Sequence, residues 1–266
     1  VRQVRAEQAK SRVPGMSGPH PQRGSSFYDR PRMSERYGQR RHGGVASPNT
    51  VMEEPALLRE LGAVTGLDVL DLGCGDADLG RILLEAGCRS YLGVDGSGAM
   101  VERARARLRG SVGRVEHADM EDFTASPAGF DLVVSRLALH YVDDVAPVLA
   151  SALRWLRPGG RMVFTVPHPV LTCHDARSAS GRPRQDWVVD DYFASGPRQR
   201  EWMGEPVTWH HRTVEDYVRA LHGAGFSLTA LRECAPHRES FEGNEEEYAR
   251  RRRVPLFLLL AGARTG

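Results

Sequence analysis

The sequence predicts an α/β protein with a doubly wound, mostly parallel seven-stranded sheet, and three observations carry that prediction. Short apolar runs alternate with helix-length amphipathic stretches, the first run turns through two glycines into a helix, and two further apolar runs close the chain. Runs of about five apolar residues separated by helices of ten or more are the pattern of a sheet covered on both faces. At 266 residues with a hydrophobic fraction of 41%, the chain can bury a full core, which excludes global disorder and a collagen-like chain.

In chain order, residues 1–26 show no hydrophobic periodicity and many turn formers, predicting a disordered leader. Phe27, Tyr28 and Tyr37 follow among arginines, an N-terminal arm over 27–50. Val51, Leu57, Leu58 and Leu61 recur at helical spacing up to Gly62. The first five strands are placed at 68–72, 90–94, 113–117, 130–134 and 160–166, with helices at 79–86, 98–108 and 145–156. Residues 167–211 break the rhythm with prolines, glycines and acids, yet hold Trp187, Trp202 and Trp209. A stretch that long is rarely structureless in a compact domain, so it reads as an aromatic-rich lid inserted after the fifth strand. A helix at 213–223 and strands at 226–232 and 254–260 complete one domain over 27–266.

Composition excludes several classes. No apolar run approaches the roughly 20 residues of a membrane span, and the first thirty residues lack the apolar segment of a signal peptide. A cytoplasmic protein is expected. Cys74, Cys88, Cys173 and Cys234 are too scattered for a metal cluster or a disulfide framework, and no metal is called for. The net charge of +2 hides a basic arm, ten basic against three acidic residues in 1–44. Lys10 is the only lysine among the 36 basic residues, a chain-wide preference for arginine that disfavours a dedicated nucleic-acid patch. An arm ahead of the core leaves open an oligomer that exchanges it between subunits.

The chemistry concentrates at LDVLDLGCGDADLG. A buried strand ends at Asp71 and turns through Gly73, Cys74 and Gly75, whose freedom lets backbone approach a ligand at a helix N-terminus. The second strand ends at Asp95, twenty residues past Gly75, where an acid can accept from ribose hydroxyls; Asp119 follows the third strand. A G-x-G-x-x-G turn would place glycine at 78, where Asp78 stands, and Asp71, Asp76 and Asp78 would repel a pyrophosphate. These acids suit a ligand bearing a cationic amino acid and a sulfonium.

These residues resemble the class I, Rossmann-like S-adenosylmethionine-dependent methyltransferases, over about 51–166: DLGCG, GVDGS with Met100, HADMEDF and FDLVVSRLALHYV stand in order. The resemblance implies S-adenosyl-L-methionine as cofactor. It implies that Asp71, Gly73, Cys74 and Gly75 hold its methionine end, Asp95, Gly96 and Ser97 with Met100 its ribose and adenine, and Asp119 and Met120 its adenine. Ser135, Arg136 and Leu137 would line the methyl-transfer side, and Tyr28 and Tyr37 would belong to an arm that covers the cofactor. Ala77 stands where the family often has a third glycine.

Methyl transfer from a sulfonium asks the protein for alignment, exclusion of water and, for a protonated acceptor, removal of a proton. His140 and His168 follow the fourth and fifth strands and are the candidate bases. Tyr141, Trp187, Tyr192, Trp209, His210 and His211 are the candidate acceptor contacts. The segment after the fourth strand reads Ser135-Arg136-Leu137-Ala138, without the Asn or Asp, two prolines and aromatic of base-amine methylases. A small, aromatic or apolar acceptor methylated at O, N or an electron-rich carbon is expected, as in bacterial secondary (natural-product) metabolism. A noncatalytic S-adenosylmethionine binder and an NAD-dependent oxidoreductase are the alternatives.

Overall fold

The computed structural model describes residues 23–42, 47–174 and 187–266. Residues 1–22 of the expected leader, 43–46 of the arm and 175–186 of the expected lid lie outside the described residues.

The arm forms two helices, α1 (Gly24–Tyr28) and α2 (Met33–His42). Residues 23–26, expected in the leader, are therefore structured, a point that matters for the site. A π-turn at Asn49–Glu53 leads into α3 (Glu54–Leu61). The core follows as β1 (Asp68–Leu72), α4 (Asp78–Glu85), β2 (Ser90–Asp95), α5 (Gly98–Arg107), β3 (Arg114–His117), β4 (Phe130–Arg136), α6 (Val145–Trp155) and β5 (Leu156–Pro167). A short helix α7 (Pro169–Thr172) precedes a separate hairpin, β6 (Gly196–Trp202) and β7 (Glu205–His211). The chain ends with α8 (Val214–Gly223), β8 (Ser227–Glu233), α9 (Glu245–Arg251) and β9 (Phe257–Ala263).

Seven strands form one sheet in the order β3-β2-β1-β4-β5-β9-β8. The pairs from β3 to β5 are parallel, and β9 runs antiparallel to both β5 and β8. Order reverses between β1 and β4, so their carboxyl ends open a crevice. The reason is burial: Val69, Leu70 and Leu72 of β1, Leu132, Val133 and Val134 of β4, and Leu258, Leu259 and Leu260 of β9 are inaccessible. Each such side chain is worth about 1.5–3 kcal/mol, which only a sheet with helices on both faces recovers.

Local chemistry fixes the helix starts near the site. The Ser97 hydroxyl accepts from the Met100 amide at α5, and the Asp144 carboxylate from the Ala146 amide at α6. Thr213 and Asp216 make a reciprocal capping box on α8. Gly80 lets α4 press on the Tyr91 ring, since a Cβ there would lie 2.4 Å from its Cζ. The last strand starts three residues later than the 254–260 expected. Pro255 has no N–H for the ladder, and the pairing continues instead through Ala261, Gly262 and Ala263.

Candidate active site

A cavity of about 340 Å³ opens at the carboxyl ends of β1, β2, β4 and β5, within the usual size range for a small-molecule site. Its floor at one end is the glycine turn. Gly73, Gly75 and Ala77 all take positive φ, 75°, 57° and 55°. A Cβ on Gly73 would lie 2.3 Å from the Ala138 Cβ, whereas one on Gly75 would meet only the Tyr37 hydroxyl, at 3.9 Å. Gly73 is thus a packing glycine and Gly75 faces the cavity. Ala77 adopts at some cost the left-handed conformation a third glycine would hold freely.

Both oxygens of Asp95 are oriented by backbone: Oδ2 accepts from the Gly75 amide at 2.8 Å and Oδ1 from the Ser97 amide at 2.9 Å. Burial lifts its pKa to about 6 despite those bonds. Asp71 is buried and accepts from the Tyr91 hydroxyl at 2.8 Å. Tyr91 escaped sequence reasoning because it reads only as a β-strand aromatic. Cys74 lies in the turn with its thiol pKa raised by burial and by Asp95 and Asp71, so it is not a nucleophile.

The acid crowding expected at the turn is partly cancelled. Arg107 of α5 reaches Asp76 at 2.6 Å and Asp78 at 3.3 Å, and Arg81 reaches Asp78 at 3.5 Å. A cationic ligand would therefore meet chiefly Asp71 and Asp95, with Asp119 beyond them. Asp119 is engaged by the arm: Ser25 donates to Oδ1 at 2.7 Å, and Arg23 bridges Asp119 at 2.5 Å and Asp122. Gly96 makes room, since a Cβ there would collide with Asp119 Oδ1. No local sequence pattern announced Arg23 or Ser25.

The arm and the hairpin together roof the cavity. Phe27, Met33 and Val207 form a small core with Tyr28, Tyr141, Trp202, Met203 and Trp209 packed on it. Tyr28 and Tyr141 share a hydroxyl–hydroxyl bond of 2.9 Å, and Arg36 donates to the Met203 carbonyl at 3.1 Å. The hairpin turns through Met203 (φ 52°) and Gly204 (φ 81°), a two-residue type I′ loop. Tyr37, Met100 and Met120 line the cavity at the glycine-turn end. Ser97 does not, because its side chain caps α5 and donates to Asp29 at 2.6 Å.

On the far side, Arg136 and Leu137 end β4. The Arg136 guanidinium lines the cavity and is held by Glu53, at 2.7 Å, and Glu54, at 2.9 Å. Thr165 donates to the same Glu53 at 2.7 Å. Leu137 sits at φ 52°, fixed by its amide bond to the Thr165 carbonyl at 3.0 Å. Trp187, Tyr141, Trp209 and Trp202 line the outer half with His140.

The two candidate bases part company. His140 is buried in the cavity wall, its ring 4.2 Å from that of Tyr141 and 4.8 Å from that of Trp209. Burial, then Arg212, His210 and Arg200, push its pKa down to about 3, so it is a neutral imidazole. No partner for Nδ1 is found among the described residues. His168 leaves the candidate set: its Nδ1 accepts from the Val170 amide to cap α7 and its Nε2 bonds Glu233 at 3.1 Å, away from the cavity. His211 is buried between the Thr172 hydroxyl, at 2.7 Å, and the Tyr192 carbonyl, at 2.9 Å. His210 pairs with Asp143 at 3.1 Å. Tyr192 bonds the Val214 amide through its hydroxyl. These three knit the hairpin to the core and do not line the cavity.

Comparisons with known proteins bear on the family and the fold. The methyltransferase domain family matches residues 69–160. An S-adenosylmethionine-dependent methyltransferase of Mesorhizobium loti is 35% identical, with a TM-score of 0.73 over 82% of this chain and 99% of that one. A Listeria monocytogenes protein described as a putative S-adenosylmethionine-dependent methyltransferase is 29% identical over 80% and 97%, with a TM-score of 0.71. An uncharacterized methyltransferase of Mycobacterium tuberculosis is 35% identical over 58% of this chain and 76% of its own. This chain belongs to the class I S-adenosylmethionine-dependent methyltransferases. Its cofactor is S-adenosyl-L-methionine, and the residues present suit that group. Gly75 leaves open space for it, Asp95 offers a carboxylate to a ribose, and Asp71 lies where a cationic amino group would be welcome. Among the described residues no group of three His, Cys, Asp or Glu could hold a metal ion, and no helix is long and apolar enough to cross a membrane.

Proposed function

We propose that this methyltransferase is an active enzyme that alkylates a small, planar aromatic or apolar acceptor, of natural-product size, seated under the hairpin. One observation carries the reading: the carboxylate end and the aromatic end are a single continuous cavity beneath one roof. The cofactor supplies a methyl group already activated by a sulfonium charge. Asp95 and the Gly75 backbone would hold its ribose side, Asp71 its amino end, and Met100, Met120 and Asp119 its adenine.

The chain's own work is alignment and exclusion of water. Trp187, Trp202, Trp209 and Tyr141 give flat apolar surfaces that fix an acceptor ring. His140, neutral at physiological pH, is too weak a base to strip a poorly acidic proton unaided. Its imidazole can instead accept a hydrogen bond from an acceptor O–H or N–H and turn the lone pair toward the methyl group. Tyr141, its pKa pushed up to about 12 by burial, stays a neutral phenol alongside. Incubating the purified protein with labelled S-adenosylmethionine and a panel of aromatic hydroxy, amino and indole compounds, read by mass spectrometry, tests the reading. Products heavier by one methylene unit are expected; cofactor binding with no transfer to any acceptor class would favour a noncatalytic binder.

A further inference from the structure

The cavity follows the carboxyl edge of the parallel strands one after another. Its lining includes Asp119 after β3, Asp95 at the end of β2, Gly73 after β1, Leu137 after β4, Pro167 at the end of β5 and Phe257 at the start of β9. Neighbouring strands stand about 4.8 Å apart, so the cavity extends about 24 Å along that edge. Among the described residues the next strand, β8, contributes nothing to it. The acids and the glycine turn proposed for the donor stand at β3, β2 and β1, and the wall with His140 and Tyr141 follows β4. About 10 Å of cavity is left past that wall, over the ends of β5 and β9.

The chemistry of the wall changes over that remainder. β5, α7 and the approach to β9 present Pro167, Leu171, Leu256 and Phe257, hydrocarbon side chains throughout, and Trp187 lines the cavity with its ring centre 5.6 Å from the Arg253 Cζ. Backbone holds these positions in place: Pro167 pairs with Phe257 across the sheet, and the His168 amide donates to the Leu256 carbonyl at 2.9 Å. Arg136, at the β4 boundary, has its charge met by Glu53 at 2.7 Å and Glu54 at 2.9 Å. The end of the arm also lines the cavity, at Ser47, Pro48 and Asn49, and the Ser47 and Thr50 hydroxyls share a bond of 2.9 Å. Apolar walls facing each other across a gap lose contacts and hold water poorly, so hydrocarbon is what such a space takes up best.

We propose that the acceptor is amphiphilic: its planar head reacts at the β4 wall, and a hydrocarbon chain attached to that head lies over the ends of β5 and β9. This rests on the reading of the outer half as the acceptor site, and it adds a second subsite that selects for chain length. An extended chain advances about 1.2 Å per bond, so about eight carbons fill the space and a longer chain must leave it. Each methylene buried there adds about twofold to fourfold in affinity. Leu171 is the natural place to perturb the site, since it is half-buried and stands on the short helix α7.

The test is a series of 4-alkylphenols, from ethyl to dodecyl and each below its critical micelle concentration, titrated calorimetrically into the full chain. Each titration is run with and without saturating S-adenosylhomocysteine. Affinity should climb by that factor per methylene to about octyl and then level off. Leu171→Trp, which fills the space, and Leu171→Gln, which makes its wall polar, should each cut the advantage of octylphenol over ethylphenol by about tenfold. Using both substitutions keeps the test available should one of them fail to fold. An affinity indifferent to chain length, a climb through dodecyl without a break, no binding of any member, or an advantage unchanged in both variants would overturn the proposal. Transfer from labelled S-adenosylmethionine is scored separately. Methylation of short aromatic compounds with no length preference in binding defeats the chain subsite alone, whereas a break near octyl without transfer to any acceptor defeats the enzyme reading alone.

Discussion

Acidification is expected to weaken cofactor binding through one residue, Asp95. Its carboxylate must be ionised to accept from two ribose hydroxyls, yet burial has raised its pKa to about 6 in the ligand-free protein. If only the ionised form binds, the dissociation constant rises by a factor of one plus the protonated-to-ionised ratio. That factor is close to one at about pH 7.5 and about eleven at about pH 5, or about 1.4 kcal/mol. The assay is calorimetric titration of S-adenosylhomocysteine across that range, with Asp95→Asn as control. The variant should bind at least about a hundredfold more weakly, from two lost charge-assisted bonds, and should lose most of the pH dependence. An affinity that stays flat between these pH values, or an equally steep dependence in Asp95→Asn, would refute the reasoning. For folding the sign is opposite to that of a salt-bridged acid. With the folded pKa above the unfolded one, stability from this group is present below about pH 4 and is lost as pH rises through about 6. Cofactor binding above pH 6 offsets that loss.

Three further outcomes follow from the same coordinates. Gly73→Ala should cost stability, by about 3 kcal/mol in chemical denaturation, because its Cβ would collide with Ala138 at a positive φ; Gly75→Ala should fold with a smaller loss, about 1–2 kcal/mol, and bind S-adenosylhomocysteine poorly. His168→Ala should lower the melting temperature while leaving turnover per folded molecule within about twofold, since its ring caps α7 and meets Glu233 outside the cavity, whereas His140→Ala should lower turnover about tenfold or more at unchanged cofactor affinity. Arg23→Ala, which removes one of the two bonds between Asp119 and the arm and leaves that of Ser25, should raise hydrogen exchange across α1 and speed cofactor association and release.

Much of the fold was legible because its signals are local and apolar. Val69 to Leu72 and Leu132 to Val134 read as buried strands, and the glycine turn and Asp95, singled out by their spacing, meet at one end of the cavity. The hairpin was not legible. Its half-buried alternation is Arg198, Arg200 and Trp202 against the exposed Pro197, Gln199 and Glu201, which carries no hydrophobic period, and its turn is Met203-Gly204 in place of the usual Asn-Gly. Long-range pairing was equally hidden. Arg107 neutralises Asp76 from 31 residues away, and Arg23 reaches Asp119 across 96. Among the histidines, sequence placed His140 and His168 alike after a strand, and only the bonds already made by each ring separate one facing the cavity from one spent on a helix cap.

The account stands most directly on where the sulfur of the bound cofactor product lies. A crystal structure with S-adenosylhomocysteine should place its ribose on Asp95 and its sulfur facing the wall formed by Leu137, His140, Tyr141 and Trp209. A ligand bound away from Asp95, or a sulfur turned from that wall into solvent, would contradict it.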